Sequence, residues 1–345
     1  MESLDLIVLR TLHRWRQQGQ AALLVTVIRT WGSSPRPVGA MMAINAEGTV
    51  VGSVSGGCIE DDLIRRHSHI GQAQWQHRQD TETLSYGISA QEAQRFGLPC
   101  GGTIELLLEY GNQASDLADL LALLDQGHLV RREVQRADAR MRLTVVTQPE
   151  PLHVQADTVR TCCGPAYRML LIGAGQLSQY LATMAQFSGF TVTVCDPRQE
   201  YQQGWTLPDV QLVQTMPDDT VVAFRPDHRS CVIALTHDPK LDDLAILEAL
   251  ASPAFYIGAI GSRKNNQARR QRLIAHFEQT EHTLKRLHGP IGVYIGSKTP
   301  AEIAVSIMAE IIAKINGVVL PQSMDVDVAK TLLDAQQHRR SATAA

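Results

Sequence analysis

The chain has 345 residues, 44% of them hydrophobic and 19% charged, and its 32 basic side chains nearly balance 35 acidic ones for a formal net charge of −3. This composition suits a folded protein and excludes a disordered one, while the charge balance excludes a general electrostatic pull on nucleic acid or an anionic membrane. The length predicts two domains, and no apolar run approaches the roughly 20 residues of a bilayer span, so a cytoplasmic protein without membrane contact is expected.

Leu6, Leu9, Leu12 and Trp15 recur at helical spacing, and Gly19 ends that helix. The charges of Glu2, Asp5, Arg10, Arg14 and Arg16 make it amphipathic, not a signal peptide. Residues 21–29 read as a strand, followed by a Gly/Ser/Pro/Arg loop at 30–39 and a hairpin over 41–44 and 49–52. Ser55-Gly56-Gly57-Cys58 leads into a short helix with Glu60, Asp61 and Asp62 in its first turn. Cys100-Gly101-Gly102 precedes a strand at 103–109. Residues 1–112 are read as an N-terminal mixed α/β domain and 113–165 as a connecting segment, with a helix over 114–124 and strands near 140–147 and 152–154.

Residues 166–320 read as a Rossmann-like domain and 321–345 as a tail. Strands are expected at 169–172, 190–196, 231–235 and 254–257, alternating with helices, which means a parallel sheet covered on both faces. The last long helix has Thr299 as N-cap, Pro300 in its first turn and Glu302 three residues after the cap, a capping box. Ile303, Ile307, Ile311 and Ile315 form its core stripe, and Asn316-Gly317 ends it.

Gly173-Ala174-Gly175 follows a strand and opens a helix. Gly173 permits the tight turn, and Gly175 permits close backbone approach to a pyrophosphate at the helix N-terminus. The small Ser178 stands at the third glycine position, and Asp196, 21 residues after Gly175, can accept from ribose hydroxyls. Such a loop binds NAD(P), FAD, another dinucleotide, or nothing. His237-Asp238 follows a strand at the ligand-binding end of the sheet and reads either as an acid–base pair or, slightly preferred, as a helix cap.

The remaining glycine-rich stretches also suggest anion sites. Gly56 and Gly57 can form a nest, and Cys58 falls at a helix start, where the dipole favours a negative group and Glu60 and Asp61 oppose it. Gly261-Ser262-Arg263 and residues 292–299 lie between strands and helices and suit a phosphate. Cys58 and Cys100, each beside two glycines, are soft donors of the type a sulfur-rich metal centre accepts; the alternative is a pair of packed thiols. Cys195 and Cys231 lie within strands and read as core, and none of the six cysteines forms a CxxC pair.

Taken together, the motifs resemble the XdhC/CoxI family of molybdenum-enzyme accessory proteins. The resemblance rests on Gly32-Ser33-Ser34-Pro35-Arg36, Ser55-Gly56-Gly57-Cys58-Ile59-Glu60, Pro99-Cys100-Gly101-Gly102, Gly173-Ala174-Gly175, Ile260-Gly261-Ser262-Arg263, and residues 292–296 with 299–304. It implies a chaperone that binds molybdenum cofactor, as molybdopterin or its cytosine dinucleotide, supports its sulfuration, and hands it to a molybdenum hydroxylase of the xanthine or aldehyde dehydrogenase type. It also implies a cysteine desulfurase-type sulfur donor and a homodimer. Ser55, Gly56, Gly57, Cys58, Cys100, Gly101, Gly102, Gly173, Gly175, Asp196, Gly261, Ser262 and Arg263 are the expected cofactor contacts, with Cys58 and Cys100 nearest the molybdenum. The alternative is an NAD(P)-dependent oxidoreductase, which would need a general acid or base over a nicotinamide. No catalytic residue is identified, and a non-catalytic maturation role is favoured over an enzyme.

Overall fold

A computed structural model describes residues 4–32, 34, 36–68, 78–87, 102–111 and 114–343. The chain divides into two compact units, Glu2–Pro165 and Ala166–Ala345. Among the described residues no helix is long and apolar enough to cross a membrane.

The first unit is built from α1 (Leu4–Gln17), β1 (Ala22–Trp31), β2 (Met41–Asn45), β3 (Val50–Gly52), α2 (Cys58–Ser68), β4 (Thr81–Tyr86) and β5 (Thr103–Glu109). They are followed by α3 (Ala114–Asp125), β6 (Leu129–Gln135), β7 (Met141–Val146), β8 (His153–Val154) and β9 (Thr158–Cys163). One sheet runs β3-β2-β1-β5-β4 and a second runs β7-β6-β9-β8, with every pairing antiparallel. Seven of the ten β1 residues are buried, from Ala22 to Ile28, so both faces of this strand are covered. Val25, Met42, Ile44, Leu106 and Leu108 pack with Ile59 and Leu63 of α2 on one face. Leu24, Met41 and Ala43 pack with Leu9 and Leu12 of α1 and Leu117 and Leu120 of α3 on the other.

The segment expected to connect the domains therefore has structure of its own. Its helix and four strands fall within the first unit, and its hydrophobic residues Val130 and Cys163 join the α1/α3 core. Arg132 of β6 is buried and forks onto the fully buried Glu109 of β5, tying the two sheets together with a bidentate ion pair.

The second unit contains β10 (Tyr167–Ile172), α4 (Gln176–Phe187), β11 (Phe190–Cys195), α5 (Gln199–Gln202), β12 (Gln211–Val213), α6 (Pro217–Phe224) and β13 (Ser230–Ala234). It continues with α7 (Pro239–Ala251), β14 (Tyr256–Ala259), α8 (Arg263–His276), β15 (Leu287–His288), α9 (Pro300–Ile315) and α10 (Val326–Thr343). The sheet is wholly parallel in the order β12-β11-β10-β13-β14-β15. Numbered within the unit this is 3-2-1-4-5-6, the doubly wound dinucleotide-binding order, whose crevice opens between the first and fourth strands. Here those are β10 and β13. α4 and α9 cover one face through Leu181, Ala185, Ile307 and Ile311. α7 and α8 cover the other through Ala245, Ile246, Ala249 and Leu273. The capping box expected at Thr299 and Glu302 is present in full. The expected tail contains α10.

Candidate functional site

The crevice of the second unit is assembled at the C-terminal ends of β10, β11 and β13. Gly173 leaves β10 with φ +109°, and an added Cβ there would lie 2.9 Å from the Thr236 methyl. Only glycine permits this turn to pass so close to the loop after β13. Ser178 is buried, and its hydroxyl donates to the Gly173 carbonyl at 2.5 Å. The departure from glycine at this position thus ties the first turn of α4 to the loop.

Gly175 is the N-cap of α4, in extended backbone at φ −81°, and no side chain caps this helix. α5 and α6 also lack a side-chain cap, whereas Asp238 caps α7, Ser262 caps α8 and Thr299 caps α9. The first N–H groups of α4 are left for water or a ligand, and a negative group there is favoured by the helix dipole. A Cβ at Gly175 would meet nothing within 4 Å. Gly175→Val is therefore expected to unfold at the wild-type temperature, and a dinucleotide whose pyrophosphate sits on this turn would bind about tenfold or more weakly. Calorimetric titration alongside thermal unfolding separates the two effects.

Asp196, expected to accept from a ribose, is fully buried. Its Oδ2 accepts from the Ala174 N–H and from Arg198 Nη2, both at 2.9 Å. Its Oδ1 accepts from Arg198 Nε at 2.8 Å and from the Arg198 N–H at 3.1 Å. Burial acts to raise its pKa, but the Arg198 side chain and the Ala174 and Arg198 backbone donors prevail and hold it below the usual carboxylate range. Asp196 thus braces the glycine turn, and the group it presents to solvent is Arg198.

Across the crevice, Thr236-His237-Asp238 follows β13. Asp238 accepts from the Lys240 N–H at 2.9 Å, so it is the helix cap. His237 is exposed and held at φ +63°, a left-handed conformation that costs a non-glycine residue about 1–3 kcal/mol. The constraint comes from beneath it. Thr236 donates through its N–H and its hydroxyl to the buried Asp242. Asp242 in turn pairs with the buried Arg269, which also binds Asp243, Asn266 and the Ile260 carbonyl.

Other glycine loops have polar groups already engaged within the protein. In Gly261-Ser262-Arg263 the Ser262 hydroxyl accepts from the Asn265 N–H, and Arg263 bonds to Thr331 and Asp334 of α10. Ser262, Arg263, Lys264 and Gln267 face Asp327 and Lys330 across an open cleft of about 550 Å³. Around residues 292–299, the Gly292 N–H donates to Glu310 and the Lys298 and Thr299 N–H groups donate to Glu302. Carboxylates of the protein itself fill this expected phosphate loop.

In the first unit the nest at Ser55-Gly56-Gly57 is filled the same way. Gly56 and Gly57 have φ +104° and +148°. The N–H groups of Val54, Ser55, Gly56 and Gly57 converge on the Glu60 carboxylate at 2.8–3.1 Å, and the Ser53 and Ser55 hydroxyls join them. Burial acts to raise the Glu60 pKa, but the Ser55 hydroxyl and the Ser55, Gly56 and Ser53 donors outweigh it and hold the carboxyl well below its usual range. The ligand of this nest is internal. Its effect is to fix the loop that presents Cys58, exposed at the first position of α2.

Cys100 and Gly101 lie outside the described residues, and Gly102 is buried just before β5. Burial pushes the Cys163 and Cys195 thiols up to about 11, and that of Cys231 higher. Among the described residues no group of three or more His, Cys, Asp or Glu side chains is placed to hold a metal ion. Sequence reasoning missed two groups: the Glu60 brace, signalled by an acidic residue one helical turn after two glycines, and Arg198, signalled by its place two residues after Asp196.

Two family models match the chain, the XdhC and CoxI family over residues 15–87 and the XdhC Rossmann domain over residues 169–311. A Bacillus subtilis protein named as a probable xanthine dehydrogenase subunit is 27% identical over 326 residues, covering 85% of this chain and 93% of that protein. The Escherichia coli molybdenum cofactor insertion chaperone PaoD is 24% identical over 305 residues, covering 85% and 83%. The crystal structure of a xanthine dehydrogenase from Bacillus halodurans superposes with a TM-score of 0.73 at 25% identity, covering 95% of this chain and 99% of that one.

Proposed function

Because the chain belongs to the XdhC and CoxI family, we propose that it is a maturation factor that binds molybdenum cofactor and supports its sulfuration and insertion into a xanthine or aldehyde dehydrogenase-type enzyme. The cofactor, as molybdopterin or its cytosine dinucleotide, is cargo. A cysteine desulfurase-type protein supplies the sulfur, and the factor acts in the cytoplasm as a homodimer. The similarity to PaoD, a molybdenum cofactor insertion chaperone, supports the cargo. The similarity to the probable xanthine dehydrogenase subunit of Bacillus subtilis supports the client.

The observation that carries the reading is the exposed Cys58 on a loop pre-shaped by Glu60. In this reading the cargo is held mainly through its organic part, and the thiol adds one soft contact near the molybdenum or its sulfido ligand. Cys100 and Gly101 are proposed to contribute from the second family motif. The glycine turn of the second unit takes a phosphate-bearing nucleotide.

Co-expression with a molybdenum-cofactor source, followed by oxygen-free purification, should yield protein that retains molybdenum and pterin, and material with neither would sink the reading. Serine is nearly isosteric with cysteine but a harder donor. Cys58→Ser is therefore expected to fold normally and to lower client activity per folded chaperone by about tenfold, or about 1.4 kcal/mol in the transfer step. Cys162→Ser, away from the family motifs, is the control. A Cys58→Ser protein matching wild type would reduce the thiol to a surface residue.

A further inference from the structure

The rim of the second unit's crevice presents a hydrogen-bond donor, Arg198, in front of a buried carboxylate, Asp196. In an open sheet of this order, the ribose beyond the pyrophosphate comes to the end of the strand next to the glycine turn. Here that is β11, ending at Cys195. An unphosphorylated ribose brings hydroxyl hydrogens to this place, and those hydrogens are satisfied only by an acceptor. Asp196 does not serve, because it is fully buried and both of its oxygens are engaged by Ala174 and Arg198.

What faces solvent is a donor. The Arg198 side chain is 28% exposed, and its guanidinium carbon lies 3.8 Å from the centroid of the Tyr201 ring. Nε and Nη2 are fixed on Asp196. Nη1 makes no hydrogen bond to a described residue. A planar cation clamped by a carboxylate and an aromatic face has its remaining donors set in one orientation before a ligand arrives.

We propose that this crevice selects a dinucleotide whose ribose carries a 2′-phosphate, and that Arg198 is the residue that reads it. A phosphate consists of acceptors only, the complement of what the rim offers. The inference rests on the glycine turn being a nucleotide site and is independent of the cargo assigned to the protein.

The test titrates the full chain calorimetrically with NADP⁺ and with NAD⁺. NADP⁺ should bind about tenfold or more tightly than NAD⁺. Arg198→Ala should bring the ratio near one while leaving NAD⁺ binding within about threefold. Arg198→Lys keeps the charge without the fork and should keep a reduced preference. It also serves if Arg198→Ala, which bares the buried Asp196, unfolds the unit. Raised salt should narrow the preference, since the contact is partly exposed.

Equal affinities, a preference that both variants leave unchanged, or no binding of either nucleotide at millimolar concentration would overturn the proposal. Protein that prefers NADP⁺ but retains no molybdenum after co-expression removes the cargo reading alone. Protein that retains molybdenum but shows no preference removes this inference alone.

Discussion

Arg132→Met is expected to destabilise the first unit by about 3–5 kcal/mol, a large share of the roughly 5–15 kcal/mol that holds a typical domain folded. Arg132 and Glu109 are 2% and 0% exposed, and they meet as a two-pronged ion pair between β6 and β5. Removing the cation leaves a carboxylate buried without its principal partner, which costs far more than the pair contributes when intact. The double replacement Arg132→Met with Glu109→Leu should recover most of the loss, because an apolar pair of similar volume needs no charge compensation. Urea unfolding of both variants, with hydrogen exchange followed over residues 103–109 and 129–135, checks the result. A single variant within about 1 kcal/mol of wild type would mean that water reaches the site.

Glu60→Ala is the second large effect, expected to cost about 3 kcal/mol through donors left without an acceptor. Four backbone N–H groups and two hydroxyls lose their common acceptor. Those of Gly56 and Gly57 reach water, whereas those of Val54 and Ser55 are buried. The loop should loosen and Cys58 should lose its fixed place, seen as a change of at least threefold in its alkylation rate against unchanged Cys162. Acid dependence separates this from simple misfolding. The folded carboxyl sits below its unfolded value of about 4.3, so its contribution is full at neutral pH and declines from about pH 5 downward as the unfolded chain takes up the proton first. Glu60→Gln removes that part of the acid response. A variant with the wild-type acid profile would place the stabilisation elsewhere.

The second unit is legible in the sequence because its signals are local. Gly173-Ala174-Gly175 between a strand and a helix, and Thr299 with Glu302, each specify a geometry within a few residues, and both motifs stand where expected. Residues 129–135 and 158–163 are opaque as strands because Arg131, Arg132, Glu133 and Arg160 interrupt their apolar pattern like a solvated surface. Arg132 is in fact buried against a carboxylate 23 residues away. The nests are recognisable as places for an anion, but nothing local says whether the anion comes from solvent or from the chain. Glu60 and Glu302 supply it here. Asp196 is recognisable as the acidic residue after the second strand, while its burial depends on Arg198 folding back over it.

The buried charges beneath Thr236 have a kinetic consequence. Asp242, Asp243, Asn266 and Arg269 join α7, α8 and the loop after β13 into one hydrogen-bonded body. That wall of the crevice cannot swing outward without separating ions in a low-dielectric interior. The entropy of ordering Thr236 and His237 is lost during folding, so the nucleotide proposed for this crevice would meet a slot already shaped. On the proposed nucleotide reading, encounter would be limited by diffusion and orientation, which related ligands share, and one nucleotide would be told from another by how long each remains.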